Sequence, residues 1–231
     1  MRNCPRAIAL IGQRHCPGSR EATAVPFDQL LALLAFALVS AITPGPNNAM
    51  LLASGVNFGV RRTVPHIVGI NLGFPVMVLA IGLGLAQVFA AVPALYTGLK
   101  VVSVVYLLWL AWRIGSARPA NVGESDGAAA ARPMSFLEAA AFQWVNPKAW
   151  IMGIGAFAAY SIPGQPVASA LIVAGAYIVT GFPSSAVWAG FGAGLRRFLS
   201  DPSRLRAFNI AMALILAVSL VPVIGDLVRG V

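Results

Sequence analysis

Two polar stretches of this sequence interrupt long apolar runs, and their residue types suit the binding of a small charged molecule. "TPGPNN" occupies residues 43–48, and "NPK" occupies residues 146–148. A proline removes a backbone donor and frees the carbonyl about four residues earlier. Freed carbonyls can hold an ammonium group, whereas amides and half-helix N-termini favour a carboxylate. The candidate binding residues are Thr43, Pro44, Gly45, Pro46, Asn47, Asn48, Asn146, Pro147 and Lys148.

Lys148 is the strongest single candidate for a binding residue. A lysine at the centre of a membrane helix costs about 2.5–3.5 kcal/mol on insertion scales. A lysine near a helix end can instead extend its ammonium group to the membrane surface. Because Lys148 lies well inside an apolar run, its depth favours a functional role.

Four further side chains each allow two interpretations. Glu138 is either a carboxylate for proton coupling or an acidic residue in the first turn of a helix, and we favour the helix-turn role. For His66 we favour an interfacial position over a role in a proton relay. Trp144 and Trp150 flank the second polar stretch, so either could contact a ligand or pack in the core.

Composition identifies the elements that must position these residues. The chain has 231 residues, of which 58% are hydrophobic and only 10% are charged, whereas soluble domains carry about 25% charged residues. The apolar runs are long and continuous, which is typical of membrane-spanning helices of roughly 20 residues. The net charge of +9 does not indicate nucleic-acid binding, because the basic residues are scattered at the ends of the apolar runs.

Six apolar segments are predicted to span the membrane, at residues 29–53, 64–90, 94–114, 136–160, 167–191 and 207–228. A polar linker at 116–135 separates a three-helix unit at 27–115 from another at 136–231. Residues 1–26 are rich in arginine and unlike the rest. We interpret them either as an extension that is not native, with the start at Val25, or as a basic tail.

The polar stretches interrupt the first helix of each half, so the first and fourth helices are predicted to be broken. Since each half has three spans, the second half must cross the membrane in the opposite sense to the first. The predicted fold is therefore all-α, with two inverted three-helix repeats. Paired interruptions at corresponding positions of two halves indicate the binding site of a secondary transporter. Unpaired backbone groups are costly in hydrocarbon, so such breaks must line a polar cavity or be bonded by neighbours.

Arginines predict the orientation, because cytoplasmic loops are enriched in basic residues. Nine lie in three connections, at positions 61, 62, 113, 118, 132, 196, 197, 204 and 206. These connections are predicted to be cytoplasmic, which places both termini on the outer side.

Several function classes lack their sequence signatures. No phosphate-binding loop, H-E-x-x-H or G-x-S-x-G motif and no metal-ligand cluster occurs. We therefore expect no enzyme, no cofactor and no metal site. A membrane redox carrier would need cysteines in its spans, whereas Cys4 and Cys16 precede all of them. A membrane scaffold or assembly protein remains the other alternative to a transporter.

The motifs "TPGPNN", "NFGVRRTVPHIVGINLGF" and "FQWVNPKAW" resemble the LysE/RhtB family of amino-acid exporters over residues 27–228. The resemblance implies a six-span exporter of amino acids or close derivatives in the bacterial inner membrane, driven by the proton-motive force. It maps the family's motif residues onto 44–48 and 146–148. The stretches "ASGVNFG" and "FQWVNPKAW" are most similar to the branch that exports cysteine and O-acetylserine. Export rather than import rests on this resemblance alone. Small-residue helix faces could serve internal packing or a homodimer equally well.

Overall fold

A computed structural model describes residues 26–116 and 132–229. The predicted N-terminal extension, apart from Pro26, and most of the predicted linker lie outside the described residues. Every regular element within the described ranges is helical, which confirms the all-α prediction. The elements are α1 (Phe27–Ile42), α2 (Pro46–Ala80), a π-helical turn (Ile81–Leu85), α3 (Ala86–Ala91), α4 (Pro93–Gly115), α5 (Phe136–Val145), α6 (Pro147–Tyr160), α7 (Pro166–Leu195), α8 (Pro202–Val218) and α9 (Val221–Arg229).

Proline sets the start of many of these helices. Pro46, Pro93, Pro147, Pro166 and Pro202 each occupy the first helical position. Proline suits this position because its missing N–H would have no intrahelical partner there and its fixed φ is already helical. The interruptions at 43–45 and at Asn146 therefore fall directly before helices that begin with proline.

Four helical stretches among the described residues are long and apolar enough to cross a membrane. They are Pro46–Ala91, Pro93–Gly115, Pro166–Leu195 and Pro202–Arg229. α1, α5 and α6 are apolar but individually shorter, because the interruptions divide their runs. Large aliphatic side chains such as Val105 and Leu214 are exposed along the helices, as expected for surfaces that face hydrocarbon.

The connection between the first two predicted segments is shorter in the structure than the sequence predicted. Two helical stretches meet at a kink in α2, where Gly59 alone leaves helical geometry, with φ 76° and ψ 167°. This backbone conformation is accessible to glycine and strained for other residues. The chain therefore changes direction at one residue, and the second predicted segment starts at about residue 60, without an extended loop.

α2 and α7 form the centre of the molecule. A Cβ atom at Gly55 of α2 would collide with the carbonyl of Ala189, and one at Gly192 of α7 would collide with the carbonyl of Leu52. These glycines allow the two backbones to touch, a common device in membrane helix packing. α1 also packs on α7, α5 packs on α2, and α4 packs on α8. This packing brings the two interrupted runs to the same region.

Candidate functional site

The first break lies between α1 and α2, where the extended residues 43–45 leave the last carbonyls of α1 without helical partners. Side chains replace those partners. Asn48 Nδ2 donates to the carbonyls of Ala41 and Thr43, each at 2.8 Å. Trp188 of α7 donates from Nε1 to the carbonyl of Ile42 at 3.1 Å. The break is therefore bonded by its neighbours, as a break in hydrocarbon requires.

Lys148 of α6 binds the same break. Its Nζ lies 2.5 Å from the carbonyl oxygen of Thr43, 2.9 Å from Thr43 Oγ1 and 3.3 Å from the carbonyl oxygen of Pro44. An ammonium group has three donors, and each faces one of these acceptors. The side chain thus joins the two predicted polar stretches.

The second break is a single extended residue, Asn146, between α5 and α6. Its side-chain oxygen accepts a hydrogen bond from the backbone N–H of Lys148 at 3.2 Å. Trp150 Nε1 donates to the carbonyl of Trp144 at 2.9 Å. The two tryptophans therefore stabilise the break, and neither is among the side chains that line the cavity described below.

A reciprocal amide pair also connects the breaks. Asn47 Nδ2 donates to Gln143 Oε1 at 2.8 Å, and Gln143 Nε2 donates to Asn47 Oδ1 at 3.2 Å. Gln143 is fully buried and also donates to the carbonyl of Ala139. Gln143 was not among the predicted residues, although a lone amide in the apolar run "AAAFQWV" is a signal that could have identified it.

A cavity of about 50 Å³ lies beside the two breaks. Of the predicted residues, the cavity is lined by Gly45, Asn47, Asn48, Asn146 and Lys148. An adjoining hollow is lined by Pro44, Gly45, Pro46, Pro147, Lys148 and Ser219. Thr43 lines neither space, but it bonds Lys148. The structure therefore brings all nine predicted residues together.

The cavity lining also contains residues that were not predicted from the sequence. Asn71 of α2 donates from Nδ2 to the carbonyl of Ile67 at 2.7 Å and to Ser185 Oγ at 2.9 Å. Tyr177 of α7 donates to the carbonyl of Met152 at 3.1 Å. Polar residues within the apolar runs "GINLGF" and "TGFPSSAV" were the available signal.

Charge in the cavity has one sign. Lys148 is the charged side chain among the lining residues, and no carboxylate occurs among the described residues of the lining. A cation in a partly enclosed site attracts an anionic group of a ligand. The described ranges also contain no group of three or more His, Cys, Asp or Glu residues that could hold a metal ion.

Glu138 occupies the position that we favoured. It is the N3 residue of a capping box with Ser135 at the start of α5, and it forms a two-point ion pair with Arg132 at 2.7 and 2.6 Å. These hydrogen bonds raise the pKa of the Arg132 guanidinium. The structural interpretation of Glu138 is confirmed.

His66 lies in the interior of the protein, and only 1% of this residue is exposed. Its depth in the membrane stays a prediction. Neither ring nitrogen has a hydrogen-bond partner among the described residues.

The fold and the site define a class: a multi-pass membrane translocator with a polar cavity at paired helix breaks. The chain belongs to the family of LysE type translocators, and the model of that family matches residues 38–223. It is 30% identical over 189 residues to the cysteine/O-acetylserine efflux protein of Escherichia coli K12, covering 81% of this chain and 93% of that protein. It is 34% identical over 135 residues to the Salmonella typhimurium protein of the same name, covering 58% and 66% respectively. No solved structure matches the chain. The chain is thus a transporter and not an enzyme.

Proposed function

We propose that this chain is a secondary transporter that exports amino acids or close derivatives across the bacterial inner membrane, driven by the proton-motive force. One observation carries the proposal. The ammonium group of Lys148 lies on the carbonyls of Thr43 and Pro44 at the first helix break. The efflux relatives provide independent support for the substrate class.

The contact of Lys148 suggests how an amino-acid zwitterion would bind. The carbonyls of Thr43 and Pro44 already hold a primary ammonium group, so their spacing suits the α-ammonium group of a substrate. When a substrate ammonium group replaces that of Lys148, the substrate carboxylate becomes the new partner of the lysine. The exchange leaves no charge unpaired, which matters because unpaired buried charges are strongly unfavourable. The side chains of Asn47, Asn48 and Asn146 supply further donors and acceptors beside this site.

Six membrane spans in two inverted repeats are part of the proposal. In this arrangement α1 and α2 up to Gly59 form the first span, and α5 with α6 forms the fourth. The packing is consistent with a pseudo-two-fold relation, since α1 contacts α7 as α5 contacts α2. Rocking of one repeat against the other would open the cavity to each side in turn.

The orientation follows from the arginines. The connections that contain Arg61, Arg113 and Arg196 would face the cytoplasm, and both termini would face the periplasm. A homodimer through exposed helix faces also remains a prediction. Buried His66 and partly buried Lys148 are titratable groups through which a proton gradient could act.

A growth test examines this function. A bacterium expressing the chain from Val25 is challenged with toxic amino acids and dipeptides, and the amino acids released into the medium are measured. We expect resistance and release for one group of amino acids, and loss of both in Lys148→Met. The matched control is Lys100→Met, since Lys100 lies in α4 near Asp226 and away from the cavity. Normal export by Lys148→Met, at wild-type membrane levels, would refute the role of the lysine.

A further inference from the structure

One cavity wall carries a hydroxyl group without a partner. Ser184 lies on α7 and lines the cavity, and only 2% of the residue is exposed. Its Oγ accepts and donates no hydrogen bond among the described residues. Leaving a buried hydroxyl unpaired costs about 1–3 kcal/mol, so a buried hydroxyl normally has a partner.

Other buried hydroxyls of the membrane helices do have partners. Ser103 and Thr180 donate to the carbonyls four residues earlier, at 2.7 and 2.9 Å. Ser185, next to Ser184, accepts the amide of Asn71 at 2.9 Å. Ser184 therefore differs from its neighbours, and the cavity is the place where a missing partner can enter.

The surroundings of Ser184 limit the chemistry of that partner. The same wall carries Phe74 and Tyr177, whose rings pack edge to face with centroids 4.7 Å apart. The lining residues on α2 and α7 include no charged side chain. A cationic ligand side chain would be repelled by Lys148, and the described lining contains no carboxylate to bind it. An anionic ligand side chain would need a second cation, because Lys148 is proposed to bind the substrate carboxylate. The wall suits a short, uncharged group that forms hydrogen bonds.

We propose that Ser184 Oγ forms a hydrogen bond with the side chain of the substrate, and that this contact favours uncharged side chains with a hydrogen-bonding group over apolar side chains of similar size. This inference rests on the proposed function, because it assumes that Lys148 and the first break bind the carboxylate and ammonium groups. It assigns selectivity to α7, outside both polar motifs of the sequence.

Competition in inside-out membrane vesicles tests the assignment. Uptake of radiolabelled L-cysteine, kept reduced, is measured against unlabelled L-serine, O-acetyl-L-serine, L-alanine and L-2-aminobutyrate. The wild type should prefer serine to 2-aminobutyrate, which has a similar size but no hydroxyl. In Ser184→Ala this preference should fall about three- to tenfold, the effect of one hydrogen bond. Inhibition by the apolar competitors should stay constant.

Two controls separate the possible outcomes. Ser103→Ala removes a buried hydroxyl away from the cavity and should leave the preference unchanged. The unfolding temperature of Ser184→Ala should not fall, because its hydroxyl has no described protein partner. An unchanged preference in Ser184→Ala, or a marked loss of its thermal stability, would overturn the role of Ser184 while leaving export intact. Absence of any amino-acid uptake by the wild type would instead overturn the proposed function, and this inference with it.

Discussion

Replacing Asn48 tests whether side chains repair the broken first helix. Asn48 is buried and bonds the carbonyls of Ala41 and Thr43. In Asn48→Ala the Thr43 carbonyl keeps Lys148 as a partner. The Ala41 carbonyl instead loses its hydrogen bond from the Asn48 side chain. One buried, unpaired carbonyl costs about 1–3 kcal/mol, and hydrogen bonds between membrane helices average about 0.6 kcal/mol. We therefore expect a loss of about 1–2 kcal/mol in the free energy of unfolding.

Asn48→Asp should be more destabilising than Asn48→Ala, because a carboxylate only accepts hydrogen bonds and would face two carbonyl oxygens. The assay is unfolding of the purified protein in mixed micelles, followed by tryptophan fluorescence. Asn57→Ala is the matched control, since Asn57 also donates to a carbonyl, that of Ala53, but this carbonyl lies inside α2 and keeps its helical partner. Equal stability of Asn48→Ala and wild type, or equal losses for Asn48→Ala and Asn57→Ala, would refute the reasoning.

Three further predictions concern other parts of the chain. Lys148→Met should change the unfolding free energy little, because losing the contacts with Thr43 and Pro44 is offset by removing a lysine that costs about 2.5–3.5 kcal/mol at the centre of a membrane helix; a large loss in micelle unfolding would contradict this. Gly59→Ala should cost about 1–3 kcal/mol, since φ is 76°, and an unchanged unfolding temperature would contradict it. Hydrogen bonds from the Ser203 hydroxyl and from the Arg204 and Ser203 backbone lower the pKa of Asp201. Its contribution to stability should therefore be complete above the ordinary carboxyl pKa of about 4 and be lost as pH falls through the lowered value. Asp201→Asn should reduce this acid dependence of the unfolding temperature, and an identical acid profile would contradict the assignment.

The breaks could be located from sequence because they depend on local chemistry. Proline lacks a donor wherever it occurs, and in "TPGPNN" and "VNPKAW" it occurs next to glycine or asparagine. Pro65, Pro75 and Pro183 lack this context and lie inside helices. The capping role of Glu138 was predictable for the same reason, since Ser135 and Glu138 have capping-box spacing.

Other parts of the site depend on contacts between distant segments. Trp188 lies 146 residues from the carbonyl that it bonds, and Gln143 meets Asn47 across 96 residues. One sequence read by periodicity gives no register between α1, α5 and α7, so these partners were missed. The burial of His66 also depends on packing between helices, and its position near a helix start did not indicate it.

The repair of the first break has a consequence for biosynthesis. The carbonyls of Ile42 and Pro44 are bonded by Trp188 and Lys148, which the ribosome adds more than one hundred residues later. In the proposed six-span arrangement, the first span would until then expose carbonyls that lipid cannot bond. We therefore expect the insertion machinery or a membrane chaperone to shelter this span during synthesis. If the chain is divided within 116–135, each half expressed alone should be degraded, whereas the two halves expressed together should persist. The second half supplies the donors that the first half lacks.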